Sequence, residues 1–495
     1  MSLLKKYPIF LLLFVIFFCL HGAVENYNSI SFEETFFVGL SISIVITALF
    51  LFSYFFTRNV LYASLITVFI SIWYFFFGAI HDFIKNTEIL KILQSYTFIL
   101  PLLLFATIIW IIFLKTNKGL WSNFTLYLNI LFCVYCIIDV CQLFIFKKDT
   151  SSPVYNLDFN YAVVRQKPNV YFLLFDGYPG QKNLTDSFHF SNEKFDQFLV
   201  RNKFISVPIM SNYDKTHYSM SSILNSNYVN NEYKVNPDSQ KDYQARQNEI
   251  KHAAVFSIFK NMGYQIINYS IFDLENSPGL DDQNSFLLGH SILLTDKILI
   301  NRLRKNISLS ATSLILKYFP FLQNQSIFIF RNSNKKAQKL LLQTLGNKYD
   351  KPRFCYTHLI MPHEPYYFDS TGTSTDPTKF LSDEILLDRG KFISYLKYTN
   401  TEAEKMICAI RQLDPKGIII FMSDHGFRSF PRQPVFEAGN YINKCSVFFP
   451  NENYGIIPCQ ITNVNMFRYL FNAQFNQQLP FLKDTSFTYT LKSFK

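Results

Sequence analysis

The chain has 495 residues, of which 49% are hydrophobic, 18% aromatic and only 17% charged. This length exceeds what one compact core usually holds, so at least two structural units are expected. Soluble proteins carry about a quarter charged residues, so the composition indicates that part of the chain lies out of water, and it excludes a disordered or collagen-like protein. Glycine is scarce, and the sequence has no Walker A or G-x-G-x-x-G motif, which excludes P-loop and Rossmann-type nucleotide binding.

Apolar runs dominate the first 146 residues. Five of them approach the ~20 residues that are needed to cross a hydrocarbon core ~30 Å thick. They cover residues 8–23, 37–56, 60–80, 97–114 and 121–146. The sequence therefore predicts a transmembrane domain of about five helices over residues 1–146. A very hydrophobic soluble bundle is the weaker alternative, because the runs leave no polar face for water.

The parity of these spans predicts on which side of the membrane the rest of the chain lies. Five spans that start in the cytoplasm place everything after residue 146 outside. Residues 1–23 also fit a cleaved signal peptide, and the four remaining spans would then lead to the same result. The distribution of Lys and Arg around the spans supports this orientation only weakly. We expect a multi-pass membrane protein with an extracytoplasmic C-terminal part.

The remainder of the chain is basic. Residues 1–150 carry a net charge of +2 and the whole chain +11, so the remainder carries +9. This charge suits anionic lipid or glycan partners, although ordinary solubility charge explains it equally well, and no run of Lys and Arg indicates nucleic acid. Outside the cytoplasm a disulfide such as Cys445–Cys459 is permitted, but the spacing does not specify it.

After a polar linker at residues 147–167, short apolar runs alternate with stretches of helical spacing. The strand-like runs are residues 169–175, 263–269, 353–358 and 417–422. The helical stretches are residues 190–203, 246–262, 335–347 and 397–413. This alternation predicts an α/β domain over residues 168–495, with a mostly parallel sheet between helix layers. Residues 283–345 fit the pattern less well and suggest a cap or an amphipathic segment on the membrane.

Polar residues follow or end three of the predicted strands. Asp176, His358 and the pair Asp424-His425 stand at strand ends, where α/β sheets bind ligands. Asp424 and His425 can both reach one cation if the backbone kinks, which Gly426 permits. Read alone, Asp176-Gly177 or Asp424-His425-Gly426 is also an ordinary turn.

Two further segments carry side chains suited to catalysis. Residues 211–225 read as a polar entry into a helix, with Thr216 near its N-terminus, where an anion and a nucleophilic hydroxyl are favoured. Alternatively Ser211, Asp214 or Thr216 simply caps that helix. In residues 357–366, His358 and His363 stand five positions apart, next to prolines that stiffen the loop.

In this order and spacing, the motifs resemble the alkaline phosphatase/sulfatase superfamily. They are strand-Asp-Gly, a threonine at a helix start forty residues later, His-x-x-x-Pro-His-x-Pro, and Ser-Asp-His-Gly. The resemblance is strongest to the membrane-anchored sulfatase-like branch, which includes lipoteichoic acid synthases and phosphoethanolamine transferases. It covers residues 168–495, including a closing segment at 461–487, and implies an alkaline phosphatase-like domain. It also implies the bacterial inner membrane, with this domain facing the periplasm or the exterior.

The resemblance also assigns roles to residues. It implies four metal ligands: Asp176, Thr216, Asp424 and His425. Thr216 would also be the nucleophile and His363 a histidine beside the substrate, with His358 and Arg428 as weaker candidates for contact with the substrate or the ligands. The C/S-x-P-x-R motif of formylglycine sulfatases does not occur. With no clear second ligand set, one divalent cation is expected, and its oxygen-rich ligands favour Mn²⁺, Mg²⁺ or Ca²⁺ over Zn²⁺.

Three functions remain open at this level. The first is transfer of a phosphoglycerol- or phosphoethanolamine-type group from a membrane phospholipid to an envelope glycan or lipid, through a covalent threonine intermediate. The second is hydrolysis of phosphate or sulfate esters at the same site, and the third is a non-catalytic membrane protein that retains the fold. The four intact candidate ligands argue against the third function.

Overall fold

The computed structural model describes most of the chain. The described residues are 2–27, 30, 32–87, 90, 93–149, 155, 157–229, 240–280, 294–307, 328–376, 383–428, 439–457 and 460–487. Cys459, and with it the disulfide considered for Cys445, lies outside them. The chain divides into two compact units. The first comprises Met1–Ser151 and Gln283–Ile315, and the second comprises Ser152–Asp282 and Leu316–Lys495.

The first unit is helical. Its helices are Ser2–Lys6, Phe10–Glu25, Phe32–Thr57, Val60–Phe75, Phe77–Asn86, Tyr96–Thr116, Trp121–Asp149 and Leu299–Ile307. Among the described residues, three segments are long and apolar enough to cross a membrane, namely Phe32–Thr57, Tyr96–Thr116 and Lys118–Phe144. Val60–Phe75 and Phe77–Lys85, which are bent by 55° at Phe76, add a fourth if they count as one span. The apolar helix Phe10–Glu25 has 16 residues, so the count of five spans stays a prediction.

The helix Phe10–Glu25 lies in the core of this unit. Phe10 and Phe14 are buried, and Phe14 meets Phe132 edge to face with ring centroids 5.6 Å apart. The Asn129 side chain accepts a hydrogen bond from the Phe10 amide at 2.6 Å and donates to the carbonyl of Tyr7 at 2.9 Å. The first of these contacts gives the Phe10 amide a partner that the start of a helix does not supply.

Residues 294–307, which lie in the stretch of uncertain sequence pattern, pack against helices of this same unit. Lys297 forms an ion pair with Glu25 at 2.6 Å, and Arg302 forms one with Asp82 at 2.8 Å. The Gly78 amide donates to the Lys297 carbonyl at 2.7 Å, and a Cβ on Gly78 would lie 2.7 Å from the Lys297 Cα. This close approach requires glycine at position 78.

The second unit is built on a six-stranded sheet. The strands of this unit are β1 Val170–Phe175, β2 Ile205–Ser206, β3 Ile209–Met210, β4 Gln265–Tyr269, β5 Arg353–Leu359, β6 Ile418–Met422, β7 Cys445–Phe448 and β8 Ile461–Thr462. Of these, β3 and β8 form a separate pair, and the other six form the large sheet. The order in the large sheet is β2-β7-β6-β1-β5-β4, and β7 runs in the opposite direction to the other five strands. The predicted mostly parallel sheet is confirmed, and its four predicted strands are present.

Helices cover both faces of this sheet. They are Gln181–Phe188, Glu193–Arg201, Thr216–Asn225, Gln240–Lys251, Ala254–Asn261, Ile329–Gly346, Asp383–Leu386, Arg389–Leu413 and Met466–Gln474. Alternate residues of β1 face two separate cores, with Phe172 in one and Leu173 in the other. Both faces of the strand are therefore buried, as its continuous apolar sequence indicates.

The stretch of helical spacing at residues 246–262 does not form one continuous helix. The structure has two helices here, because Ala253 takes an extended conformation. The freed amide of Ala254 donates to the Asn225 side chain at 3.1 Å, which stabilises the break.

Candidate active site

The polar residues predicted at strand ends lie together at the carboxyl edge of the sheet. The strands β5, β1 and β6 are parallel neighbours, and Leu174 of β1 stands opposite both His358 and Met422. Asp176 follows β1, and Asp424 follows β6. Strand pairing therefore brings together residues that are almost 250 positions apart in the chain.

Asp176, Asp424 and His425 form a compact group of potential ligands. One ligand atom from each lies within 4.8 Å of the others, and all three residues are buried. His425 Nε2 lies 3.4 Å from an Asp176 oxygen and 3.2 Å from an Asp424 oxygen. Its Nδ1 lies 2.6 Å from the Gly426 carbonyl, so Nδ1 carries the proton and Nε2 presents a lone pair to the carboxylates.

The chemistry of this group fits a divalent cation. Asp176 Oδ1 and Asp424 Oδ2 are buried without a hydrogen-bond donor among the described residues. Burial lowers the pKa of His425, and Arg428 lowers it further, which favours the neutral ring. Two carboxylate oxygens and an imidazole lone pair that face one another repel in the absence of a positive charge. A cation removes that repulsion, since carboxylates and neutral imidazole are common metal ligands.

The Thr216 hydroxyl lies against the same group. Its Oγ1 lies 3.3 Å from Asp176 Oδ2 and 3.2 Å from His425 Nε2. Thr216 is the first residue of the helix Thr216–Asn225, whose N-cap residue is Lys215, and no side-chain hydrogen bond caps that end. The hydroxyl therefore faces the ligand group and does not cap the helix, contrary to the alternative considered for Thr216.

His363 and Arg428 lie on the half-buried side of the site. Arg428 Nη2 lies 3.2 Å from His363 Nε2, and Arg428 Nη1 donates to the Asp214 carbonyl at 2.9 Å. His363 Nδ1 lies 2.7 Å from the Glu364 carbonyl, which fixes the ring. Gly177 lies between His363 and the ligand group, because a Cβ on Gly177 would lie 3.5 Å from His425 and 3.7 Å from His363.

The histidines around Asp176 control its charge. Burial alone would raise the pKa of Asp176, but His363, His358 and His425 outweigh it and hold that pKa well below its usual range. Burial lowers the pKa of His363, but Asp176 and Glu364 raise it more, so the net direction is upward. The aspartate therefore stays ionised beside these histidines.

His358 lies behind the ligand group. It is buried, its Nε2 lies 3.5 Å from Asp176 Oδ2, and its Nδ1 lies 3.0 Å from the Tyr356 hydroxyl. His358 therefore lies beside the Asp176 carboxylate, on its buried side.

The backbone at Asp424 is held by a second set of residues, which the sequence alone did not identify. The Asp424 carbonyl accepts three hydrogen bonds, from Ser211 Oγ at 2.9 Å, Ser219 Oγ at 2.5 Å and Asn463 Nδ2 at 2.6 Å. The Gly177 amide donates to Asp424 Oδ1 at 3.0 Å. These residues have no common spacing in the sequence that could have identified them, because they reach Asp424 from different elements of the fold.

Two glycines are required at this edge for different reasons. Gly177 has a φ of +68°, in the left-handed region that favours glycine. A Cβ on Gly426 would lie 2.0 Å from the Gly439 carbonyl oxygen, so the backbones approach too closely for a side chain.

The chain also matches a known protein family. The family model described as Sulfatase matches residues 185–470, more than half of the chain. No curated protein sequence matches the chain.

Solved structures are similar at low identity. Lipooligosaccharide phosphoethanolamine transferase A from Neisseria meningitidis, an integral membrane protein, is 11% identical with a TM-score of 0.39, over 96% of this chain and 95% of that one. The C-terminal periplasmic domain of EptC from Escherichia coli, in complex with zinc, is 10% identical with a TM-score of 0.39, over 64% and 85%. The C-terminal periplasmic domain of phosphoethanolamine transferase EptC from Campylobacter jejuni is 12% identical with a TM-score of 0.37, over 64% of this chain and 92% of that one. The extent of the family match shows that the chain belongs to the sulfatase family.

Proposed function

We propose that this sulfatase-family enzyme transfers a phospho-substituent from a membrane phospholipid to an envelope glycan or lipid through a covalent intermediate on Thr216. The observation that carries the proposal is the position of the Thr216 hydroxyl. It starts a helix, touches both Asp176 and His425, and has His363 and Arg428 on the half-buried side. A phosphoglycerol- or phosphoethanolamine-type headgroup is the proposed cargo, since ATP is not available outside the cytoplasm.

In the first half-reaction, Thr216 Oγ1 forms a bond to phosphorus after its proton has left to water. The bond between phosphorus and the diacylglycerol oxygen breaks, and that oxygen takes a proton from His363. Arg428 holds a non-bridging oxygen of the phosphate, as a guanidinium can do with two parallel donors. The free amides at the N-terminus of the helix favour the anionic phosphothreonine that results.

In the second half-reaction, a hydroxyl of the acceptor gives its proton to His363, and its oxygen bonds to phosphorus. The bond to Thr216 Oγ1 breaks, and Thr216 regains a proton from water. The histidine thus returns to its initial state, and the net change is exchange of one alcohol for another on phosphorus.

We propose that Asp176, Thr216, Asp424 and His425 hold one divalent cation. When bound, such a cation supplies Lewis-acid chemistry, which lowers the pKa of the nucleophile and stabilises charge on the phosphoryl oxygens. Oxygen ligands predominate in this set, so Mn²⁺, Mg²⁺ or Ca²⁺ is proposed ahead of Zn²⁺.

Labelled phospholipid tests the proposal. The purified full-length protein in lipid nanodiscs should acquire the headgroup label on Thr216, which mass spectrometry of the Thr216 peptide would show. Added envelope glycan or lipid should then carry the label away. Absence of any labelled Thr216 under single-turnover conditions would contradict the covalent step.

The same experiment separates transfer from hydrolysis, the alternative that this site also supports. Release of the label to water at equal rates with and without an acceptor would identify a hydrolase. Faster release in the presence of acceptor, with the label recovered on it, would identify a transferase.

The domain of residues 168–495 is proposed to lie outside the cytoplasm, in agreement with the parity of the predicted spans. We expect a C-terminal alkaline phosphatase fusion to be active and a C-terminal green fluorescent protein fusion to be dark. The reverse pair of results would place the domain in the cytoplasm. A donor phospholipid in the outer leaflet of the membrane would then be out of its reach. The same two fusions to a cytoplasmic protein, measured in parallel, control for cell lysis.

A further inference from the structure

The helix that starts with Thr216 is held on two sides. On one side, Ser219 donates to the Asp424 carbonyl, as described above. On the other side lies the helix Gln240–Lys251, which we call the Arg246 helix. Three residues of the Thr216 helix, about one turn apart, make hydrogen bonds to it: Tyr218, Ser221 and Asn225.

The partners of these residues are two buried acids of the Arg246 helix. The Tyr218 hydroxyl donates to Asp242, and the Ser221 hydroxyl donates to Glu249. Asn225 donates to the Glu249 backbone carbonyl at 3.2 Å. Bonds at three successive turns resist both rotation of the Thr216 helix about its axis and sliding along it.

Arg246 links the two acids. It is only 2% exposed, its Nη1 lies 2.8 Å from Glu249, and its Nε lies 3.5 Å from Asp242. Its guanidinium also lies 5.7 Å from the centre of the Tyr218 ring. Burial raises the pKa of Glu249, while Arg246 and the Ser221 hydrogen bond oppose that rise. The guanidinium thus lies between the two acids that accept hydrogen bonds from the Thr216 helix.

A buried ion network of this kind is a poor source of stability. The cost of removing three charged groups from water offsets most of their mutual attraction, and apolar residues often stabilise a fold equally well. A network does, however, fix geometry, because its hydrogen bonds are satisfied in one arrangement of the helices. Here the element that it fixes begins with the proposed nucleophile.

We propose that Asp242, Arg246 and Glu249 form a positioning network that sets the place of the Thr216 hydroxyl against Asp176 and His425. The inference rests on the proposed role of Thr216 as nucleophile. The network acts on the Thr216 helix through its hydrogen bonds with Tyr218 and Ser221. Small displacements of a reacting group are costly, and a shift of about 1 Å can lower a rate roughly 10²-fold.

Tyr218→Phe and Ser221→Ala test the network. Each removes one hydrogen bond between the Thr216 helix and the Arg246 helix and leaves the buried charges in place. Tyr264→Phe is the matched control, since the buried Tyr264 hydroxyl donates to the Pro168 carbonyl at 2.8 Å, away from the site. We expect Tyr218→Phe to lower kcat by roughly 10- to 100-fold. KM and the bound metal should stay at wild-type levels, and Tm should change as in the control.

Single-turnover labelling of Thr216 from labelled phospholipid separates the outcomes. The network is supported if labelling of Tyr218→Phe slows by the same factor as kcat while the protein retains its metal. It is overturned if Tyr218→Phe behaves like Tyr264→Phe, or if its activity falls because metal is lost. If wild-type protein turns over without ever labelling Thr216, the proposed function fails, and that result is distinct from both.

Discussion

Thr216→Ala should lower turnover by at least roughly 10³-fold, as expected when a covalent nucleophile is deleted. The hydroxyl lies 3.3 Å from Asp176 and 3.2 Å from His425. The substitution removes little volume from a half-buried position and no helix cap, since Lys215 occupies the N-cap. The fold should therefore survive, with Tm within a few degrees of the wild-type value.

Two further variants complete this test. Thr216→Ser retains a hydroxyl and should retain measurable turnover and labelling. Thr401→Ala, at an exposed position of the helix Arg389–Leu413, removes a threonine hydroxyl remote from the ligand group and should leave turnover unchanged. A Thr216→Ala protein that folds and turns over at the wild-type rate would show that the hydroxyl is not the nucleophile.

The edge of the sheet that carries the site was predictable because buried parallel strands are continuous apolar runs. Val170–Phe175 and Ile418–Met422 are apolar throughout. Asp176 follows the first strand directly, and Asp424 follows the second after one serine. Once the strands are recognised as parallel neighbours, Asp176 and Asp424 must lie at one edge. The resemblance to a known superfamily then added Thr216, whose contact with that edge depends on a separate helix.

The support of the site was not predictable, because it depends on tertiary contacts with backbone atoms. Asn463 reaches the Asp424 carbonyl from an element 39 residues away, and Ser211 reaches it from 213 residues away. Neither residue type nor spacing marks such contacts. The break at Ala253 has a similar origin, since the local sequence has helical spacing and the side chain of the distant Asn225 stabilises the interruption.

Asp424→Ala should abolish metal binding, because it removes the carboxylate whose Oδ2 lies 3.2 Å from His425 Nε2. Changes to residues that merely orient ligands lower metal affinity 10- to 100-fold, so loss of a ligand should cost at least as much. Metal content per protein, measured by mass spectrometry of the elements after dialysis, checks this result. An Asp424→Ala protein with full metal occupancy would contradict the assignment of Asp424 as a ligand.

Asp424→Asn should change stability in opposite directions with and without metal. Without metal, the asparagine amide can donate to His425 Nε2 in place of the repulsion between the carboxylate and the lone pair, so Tm should equal or exceed that of the wild type. With metal at about 100 times its Kd, the wild type should gain about 2.7 kcal/mol and the variant almost nothing. Asp414→Asn is the matched control, because Asp414 precedes β6 at its other end and accepts from Tyr171 at 2.7 Å. It should lower Tm in both conditions and leave the response to metal intact, whereas an equal metal response in Asp424→Asn and wild type would show that the cation binds elsewhere.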